Sequence, residues 1–418
     1  TFTNEDFFKW KPLSNGKLRF SYGQNGNRSL ENPYIALANL ANGVGTQGYI
    51  NSSGDYVQFQ YLRIDRMANT GLEWEKTASF NVGLDLGFFN NRLSTTIDYF
   101  QMSTTDMVMN QSLPGFSGFT SITTNLGEVQ NNGIEVSINS QNIVNKNFNW
   151  STTLGFSKYN NKIKHLYYRY EDILDANGNV VSSREVDDIG NGWFIGQPIS
   201  TIWNYRVTGI WQTNEITEAA RYGQRPGDPK VANNYTDDDV INADGSVTPV
   251  YNDNDKEFLG QTQAPIMWSL RNDFNYKNFN FSFNIYSYWG HKSLNGAYLN
   301  QDNGTSTISQ GLANTYNKPY WTPENTSDFW GRLESKGPAG LNSPQRIFDR
   351  SFVRLDNVSV GYTLPTKFTS AFHVQKLKVF GSVRNALVWH KDRNWRYWDI
   401  ETGQMAPRIF SFGLNLNF

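Results

Sequence analysis

The feature that most constrains this chain is a strict two-residue alternation sustained over long stretches. In ASFNVGLDLGFF (78–89), Ala78, Phe80, Val82, Leu84, Leu86 and Phe88 alternate with Ser79, Asn81, Gly83, Asp85 and Gly87. An extended strand of this pattern is apolar on one face and polar on the other. The pattern returns in FNWSTTLGF (148–156), IMWSLRNDFNY (266–276), FNFSFNIY (279–286) and the closing FSFGLNLNF (410–418). Several of these runs exceed the five or six residues usual in soluble sheets. Shorter runs lie at RLSTTIDYF, GIEVSIN and LKVFGSV, while only PYIALANL (33–40) and NEITEAARYG (214–223) read as short helices.

The connections fall into two classes. Asn90-Asn91, Asn145-Lys146-Asn147 and Lys277-Asn278 are tight polar links of residue types that tolerate positive φ or hydrogen-bond their own backbone. By contrast, 161–198, 211–264 and 291–347 are long and rich in Asn, Asp, Gly and Pro. Compact soluble domains rarely carry loops beyond roughly 12–15 residues, whereas membrane barrels combine short turns at one end with long loops at the other. Parity then pairs the strands flanking the three turns. The segments 56–64 and 200–210 fit only as parts of the outer loops or with uncounted partners, leaving ten to twelve spanning strands.

Composition narrows the choice further. The 37 Lys+Arg against 38 Asp+Glu leave no positive field for nucleic acid. With no Cys there is no disulfide framework, thiolate nucleophile or cysteine-built zinc site. No apolar run approaches the roughly 18 residues of a transmembrane helix, a criterion that does not reach barrels, whose strands alternate. The opening TFTNEDFFKW is no signal peptide, so the chain is expected to be mature or to begin inside something larger.

Four blocks, KLRFSYGQNGN (17–27), GLEWEKTASFNVGLDLGFFNNRLSTTIDYF (71–100), RSFVRLDNVSVGYTLP (350–365) and PRIFSFGLNLNF (407–418), stand in an order that resembles the SusC/RagA family of TonB-dependent outer-membrane importers. The resemblance implies an all-β, antiparallel transmembrane barrel in the cell outer membrane, with residues 1–418 as its C-terminal part. It also implies a plug domain and first strands that are not in this sequence. Transporters of this class have 22 strands around a plugged lumen. A half barrel would leave two raw edges in lipid, so the chain is expected to belong to a longer polypeptide or to pair with another chain. The function implied is uptake of oligosaccharides or peptides together with a SusD-like surface lipoprotein. Contact with TonB would run through the absent N-terminal region. The alternative is a SusC-like barrel acting as a structural component of a larger assembly. The family match disfavours a passive porin.

Candidate sites are few. Residues 211–264 hold ten acidic against four basic side chains. YTDDDVINADGSVTPVYNDNDKEFLG resembles the family's Asp/Asn/Gly-rich loop, which makes Asp239, Asp244, Asp253 and Asp255 candidate Ca2+ ligands. Asp239, Asn242, Asp244 and Gly245 do not keep the two-residue spacing of a calcium loop, and a solvated acidic turn is the competing reading. Trp193, Trp203, Trp211, Trp321 and Trp330 lie in or beside the long loops, where rings stack on sugars, grip a partner or pack a loop core. His165, His291, His373 and His390 share no metal spacing, and no nucleophile, base and acid can be singled out, so nothing supports an enzyme. The substrate-selecting residues are not marked by these motifs.

Parity assigns facings. Leu84, Leu86, Phe88, Leu154, Phe156, Phe281, Phe283, Phe412, Leu414 and Leu416 should face lipid, and Asp85, Ser282, Gly413 and Asn415 the lumen. The resemblance further implies that the terminal Phe418 is read by the barrel-assembly machinery. Its deletion should remove at most ~1.5–3 kcal/mol of burial and yet lower the inserted fraction. Heat-modifiable protein in outer membranes, measured against total protein, checks this. Unchanged insertion for both the deletion and Phe418→Ser would contradict it.

Overall fold

The computed structural model describes residues 1–27, 32–43, 48–58, 61–295, 319–341, 344–370, 373–395, 399–403 and 406–417; Phe418 lies outside them. The fold is carried by one ten-stranded antiparallel sheet whose spatial order is the chain order. Its strands are β1 (Leu13–Asn27), β2 (Glu75–Phe88), β3 (Leu93–Thr105), β4 (Glu128–Val144) and β5 (Phe148–His165). They continue as β6 (Ile266–Tyr276), β7 (Phe279–Trp289), β8 (Phe352–Thr363), β9 (Lys376–His390) and β10 (Ile409–Asn417).

The two ends of the sheet differ as the links predict. Asn90 and Asn91 (φ 55° and 62°) turn β2 into β3, and Lys277 (φ 54°) turns β6 into β7. Between β4 and β5 the Asn145 side chain accepts from the backbone N–H of Asn147 and Phe148. At the opposite end, β5 runs to His165, so 161–165 is strand, and the connection to β6 occupies 166–265. That connection is not structureless. It holds hairpins 170–185 and 240–248, the pairs 201–205 with 256–261 and 207–210 with 229–231, and helix α1 (Ile216–Arg221).

Neither doubtful segment joins the wall. Tyr56–Gln58 pairs with Gly48–Ile50, Tyr61–Arg66 with Asn39–Gly43, and 201–210 pairs within its own loop. The wall therefore has ten strands among the described residues. PYIALANL is not a helix. Residues 33–36 form a turn in which the Leu37 N–H donates to the Tyr34 carbonyl, the Arg66 guanidinium donates to the Leu37 and Tyr34 carbonyls, and Asn39 onward pairs as strand.

Cross-strand partners share a face, so the register sorts the side chains. One row runs Leu18, Leu84, Ile97, Val136, Phe156, Trp268. Another runs Asp273, Ser282, Ser359, Ser382, Ser411 on the opposite side. All ten residues expected on the apolar face lie together there, and Asp85, Ser282, Gly413 and Asn415 lie on the polar one. Phe412 and Leu414 are 85% and 62% exposed, with no described residue covering them.

Aromatic rings mark both ends of the apolar face. At the turn end Trp150 stacks on Phe274 at 5.6 Å, and Phe279 meets Tyr362 at 4.4 Å. At the loop end Trp289 and Trp389 lie 6.2 Å apart, with Lys391 over Trp289. From Phe281 to Trp289 the strand runs roughly 27 Å along its length, enough to cross a barrel's apolar band of about 25 Å. A buried polar group sits on this face. Asn272 is 6% exposed, and its Oδ1 accepts from Trp150 Nε1 (2.8 Å) and Thr152 Oγ1 (2.7 Å). Its satisfied acceptor lowers the cost of burying an amide.

Leu84→Lys should cost ~2–4 kcal/mol, because it puts a charge at mid-height on the apolar face, whereas Ser282→Lys on the polar face should change stability little. Denaturant titration of the full-length protein refolded in lipid vesicles checks this. Equal losses for the two variants would contradict the facing.

Candidate functional site

The polar face is organised by charge across the first strands. Arg19 on β1 donates to both Asp85 oxygens (2.8 and 3.0 Å) and reaches past β2 to Asp98 on β3 at 3.0 Å. It can do so because Gly83 stands between. A Cβ there would lie 2.5 Å from the Arg19 guanidinium carbon and from Asp98 Oδ1.

Beside this tie lies an open concavity of ≈ 630 Å³, lined by Asp98, Glu135, Ser157, Ser269 and Tyr286 from β3 to β7 and by Glu401 from the β9–β10 connection. That connection is anchored on the wall. Arg354 of β8, 4% exposed, pairs with Asp399 at 2.6 Å and Glu401 at 3.4 Å, and donates to Asn385 Oδ1. The Tyr286 hydroxyl donates to Glu401 at 2.7 Å, and Arg350 donates to the Ile400 and Glu401 carbonyls. Ile400 is fully buried in a core with Trp330, Phe348, Phe352 and Trp395.

Burial pushes the Asp399 carboxyl up, but the Arg354 guanidinium and the N–H groups of Thr402 and Glu401 more than offset it and hold it below its ordinary value. Burial, then the Arg350 charge, pushes His291 down to about 4, so its ring is neutral at physiological pH. His165 Nδ1 meets Glu185 at 2.8 Å and His390 Nδ1 meets the Trp395 carbonyl at 2.7 Å.

The two longest connections are sewn into one outer module. Buried Asp228 accepts from Arg332 Nε and the Lys336 N–H, at 2.8 and 2.9 Å, and Gln224 donates to the Lys336 carbonyl. The five candidate tryptophans serve loop packing. Trp321 and Trp330 are buried, Trp193 packs on Val129, Ile163 and Leu166, Trp203 meets Phe194, and Trp211 stacks on Tyr222.

The acidic candidates are also engaged one by one. Asp255 is fully buried and accepts from the N–H groups of Asn234, Tyr235 and Asn252. Asp239 accepts from the Val250 N–H and the Asn233 amide, Asp244 from Ser246, and Asp253 from Lys256. Among the described residues no three His, Asp or Glu side chains gather as a metal site.

Reasoning from the sequence missed the Arg354, Asp399, Tyr286 and Glu401 cluster. The only signal was an arginine within the alternating FVRLDNVSV, whose partner lies 45 residues away.

A meandering antiparallel wall with one apolar and one polar face, tight turns at one end and folded loops at the other, is that of a β-barrel receptor. The family model described as TonB dependent receptor-like, beta-barrel, matches residues 7–230, more than half of the chain, and the chain belongs to that family. It is 28% identical, over 99% of its length, to TonB-dependent receptor P3 of Formosa agariphila, of which it covers 40%. It is 26% identical to TonB-dependent receptor SusC of Bacteroides thetaiotaomicron, covering 97% of this chain and 38% of that protein. Among solved structures, the RagAB peptide transporter superposes with a TM-score of 0.70 at 23% identity, over 100% of this chain and 42% of that one. The chain thus spans about two fifths of the length of these relatives.

Two outcomes follow for the loops. Asp255→Ala removes the acceptor of three partly buried N–H donors and should cost about 2–3 kcal/mol locally. Exposed Asp253→Ala should cost little, and hydrogen exchange over 230–258 reads both. Asp244 is held below its ordinary value by Ser246, Glu215 by Lys230, and Glu257 by Arg206 and Asn234. With Asp399, these groups add stability that is complete above the unfolded carboxylate value near ~4 and is lost as pH falls through the lower folded values. Exchange protection of the loops, corrected for intrinsic rates, should hold from pH 8 to 5 and fall below about pH 4. A loss between pH 8 and 5 would contradict this assignment.

Proposed function

We propose that the chain is the C-terminal wall of an outer-membrane, SusC-like importer that takes up oligosaccharides or peptides with a SusD-like surface lipoprotein and draws energy through TonB. The observation that carries the reading is the two-faced wall. Its apolar face, bounded by aromatic rings at both ends, suits lipid, and its polar face with its open concavity suits a water-filled lumen. The edges of β1 and β10 need further strands to satisfy their backbone groups in hydrocarbon, consistent with a chain that covers two fifths of its relatives.

The stitched outer loops support the partner. Hairpin 170–185 projects Tyr170, Leu174, Val180 and Val181, each more than half exposed, as expected of a surface that docks another protein. The resemblance to SusC and the RagAB transporter supports the cargo class, and no described residue chooses between glycan and peptide.

Two experiments test the reading in the full-length protein. Deleting its gene should abolish depletion of either oligosaccharides or oligopeptides from the medium, and complementation should restore it. Unimpaired uptake of both classes would favour a structural role. Replacing 171–184 with a short Gly/Ser turn should lower co-purification of a surface lipoprotein at least tenfold while leaving the heat-modifiable fold intact. Undiminished co-purification would remove the hairpin from the docking surface.

A further inference from the structure

The turn end of the wall carries a row of cations, most of them without a partner among the described residues. The stretches 7–12, 88–93, 144–150, 274–281 and 362–370 hold Lys9, Lys11, Arg92, Lys146, Lys277 and Lys367 and no Asp or Glu. All six are exposed. Arg92 donates to the Gln141 and Asn142 carbonyls, but the five lysines have no side-chain hydrogen bond or ion pair among the described residues. Asp85 and Asp273, the acidic residues that border these stretches in the strands, are held on the polar face by Arg19 and Arg271, and Glu5 and Asp6 precede the first stretch. Backbone hydrogen bonds join the stretches into one rim. The Phe89 N–H donates to the Pro12 carbonyl, Gln141 to Arg92, Lys277 to Asn147 and Thr363 to Asn278. Hairpin turns recur about every 10 Å along such a rim, which spreads the charge along it.

These cations stand beside the rings that end the apolar face. Lys277 Nζ lies 5.4 Å from the centre of the Tyr276 ring, and Tyr276 sits on the apolar face opposite Phe279. Phe148 meets Tyr276 at 6.4 Å, two residues after Lys146. Trp10, between Lys9 and Lys11, meets Phe88 of the apolar face edge-on at 6.1 Å. The loop end is built differently. There Lys391 Nζ lies 5.7 Å from the centre of the Trp289 ring, but it also pairs with Asp349 at 2.6 Å. The connection 166–265 alone holds sixteen acidic against seven basic side chains. A cation over a ring is thus neutralised at one end of the wall and left open at the other.

We propose that the turn-end rim binds the phosphate groups of anionic phospholipids in the leaflet it meets. The rings of Trp10, Phe148 and Tyr276 stand at the depth of the interface, and the lysine stems lie along apolar surface while their charge reaches the headgroups. Each such Lys near an anionic membrane surface is drawn to it. Continuity of the rim with the apolar face favours lipid over a soluble anion, which would gain nothing from rings at the end of that face. The loop end, with its cation paired and its connections acidic, offers the same headgroups no attraction, so the preference is confined to one leaflet. The inference rests on the reading of the apolar face as the lipid face.

Electron spin resonance of the full-length protein in phosphatidylcholine vesicles tests this, with spin-labelled phosphatidylglycerol and spin-labelled phosphatidylcholine as the two probes. The motionally restricted fraction at the protein should favour phosphatidylglycerol at least twofold. Replacing Lys9, Lys11, Lys146, Lys277 and Lys367 with Gln should remove at least two fifths of that excess. Lys146→Gln with Lys277→Gln should remove at least a fifth, which keeps the test decisive if the larger variant fails to give the heat-modifiable fold. Arg184→Gln with Lys391→Gln takes two cations from the loop end and should leave the excess unchanged. Equal restriction of the two lipids by the parent protein would overturn the rim, as would an unchanged excess in folded turn-end variants. An equal loss from the loop-end pair would show an effect of net charge alone, and would overturn it too. A nitroxide on Leu414→Cys, in protein cleared of other thiols, serves as the control for the underlying reading. Collision with a water-soluble nickel complex in excess of collision with oxygen there would show that the lipid-face assignment had failed, independently of the rim.

Discussion

The structure depends on one constraint, the register between neighbouring strands. A slip of one residue turns every side chain of a strand to the other face, and here ten strands in succession keep their apolar residues together. Turn chemistry fixes register at one end, through positive φ at Asn90, Asn91 and Lys277. Across the first three strands, Arg19 fixes it again by bridging Asp85 and Asp98 over Gly83. A slip of β2 would put Asp85 on the apolar face and remove the glycine over which the bridge passes.

From this constraint follows the placement of the packed cores. A wall that gives its apolar face to the surroundings cannot bury that face against itself. The buried apolar clusters among the described residues accordingly sit at the loop end, around Phe348 and Phe352, around Val129 and Ile163, and around Ile210 and Trp321. The long connections thus behave as small folded units with cores, ion pairs and hairpins of their own. Their ordered surface is what gives the wall something specific to present above it.

Much of the wall was legible because period-2 alternation is a local signal. β2, β5 and β7 read directly, and so did the tight turns. The obscured strands have identifiable causes. In β8 the bulge at Asp356 moves the apolar positions from Val353 and Leu355 to Val358 and Val360, and breaks a single template. In β4 a register shift between Gln141 and Ile143 does the same. The loops were less legible because their structure is set by distant partners: Arg66 capturing the carbonyls of Tyr34 and Leu37, or Arg354 meeting Asp399. The acidic stretch shows the limit most plainly. Its resemblance to an Asp/Asn/Gly-rich loop made Asp239, Asp244, Asp253 and Asp255 candidate cation ligands, and in the structure each accepts from N–H or O–H donors of its own. Composition reports how many carboxylates are present and not whether they converge.

The central claim, that a single register gives this wall one lipid face and one water face, is tested most directly by nitroxide scanning of β2 from Phe80 to Phe88 in the full-length protein in lipid vesicles. Collision rates with oxygen and with a water-soluble nickel complex should alternate out of phase with a period of two. Oxygen should dominate at Phe80, Val82, Leu84, Leu86 and Phe88, and nickel at Asn81 and Asp85, with Gly83 and Gly87 left unlabelled because a side chain there would collide with Arg19 and Asn91. Collision rates without a two-residue period, or with the phases exchanged, would contradict the account.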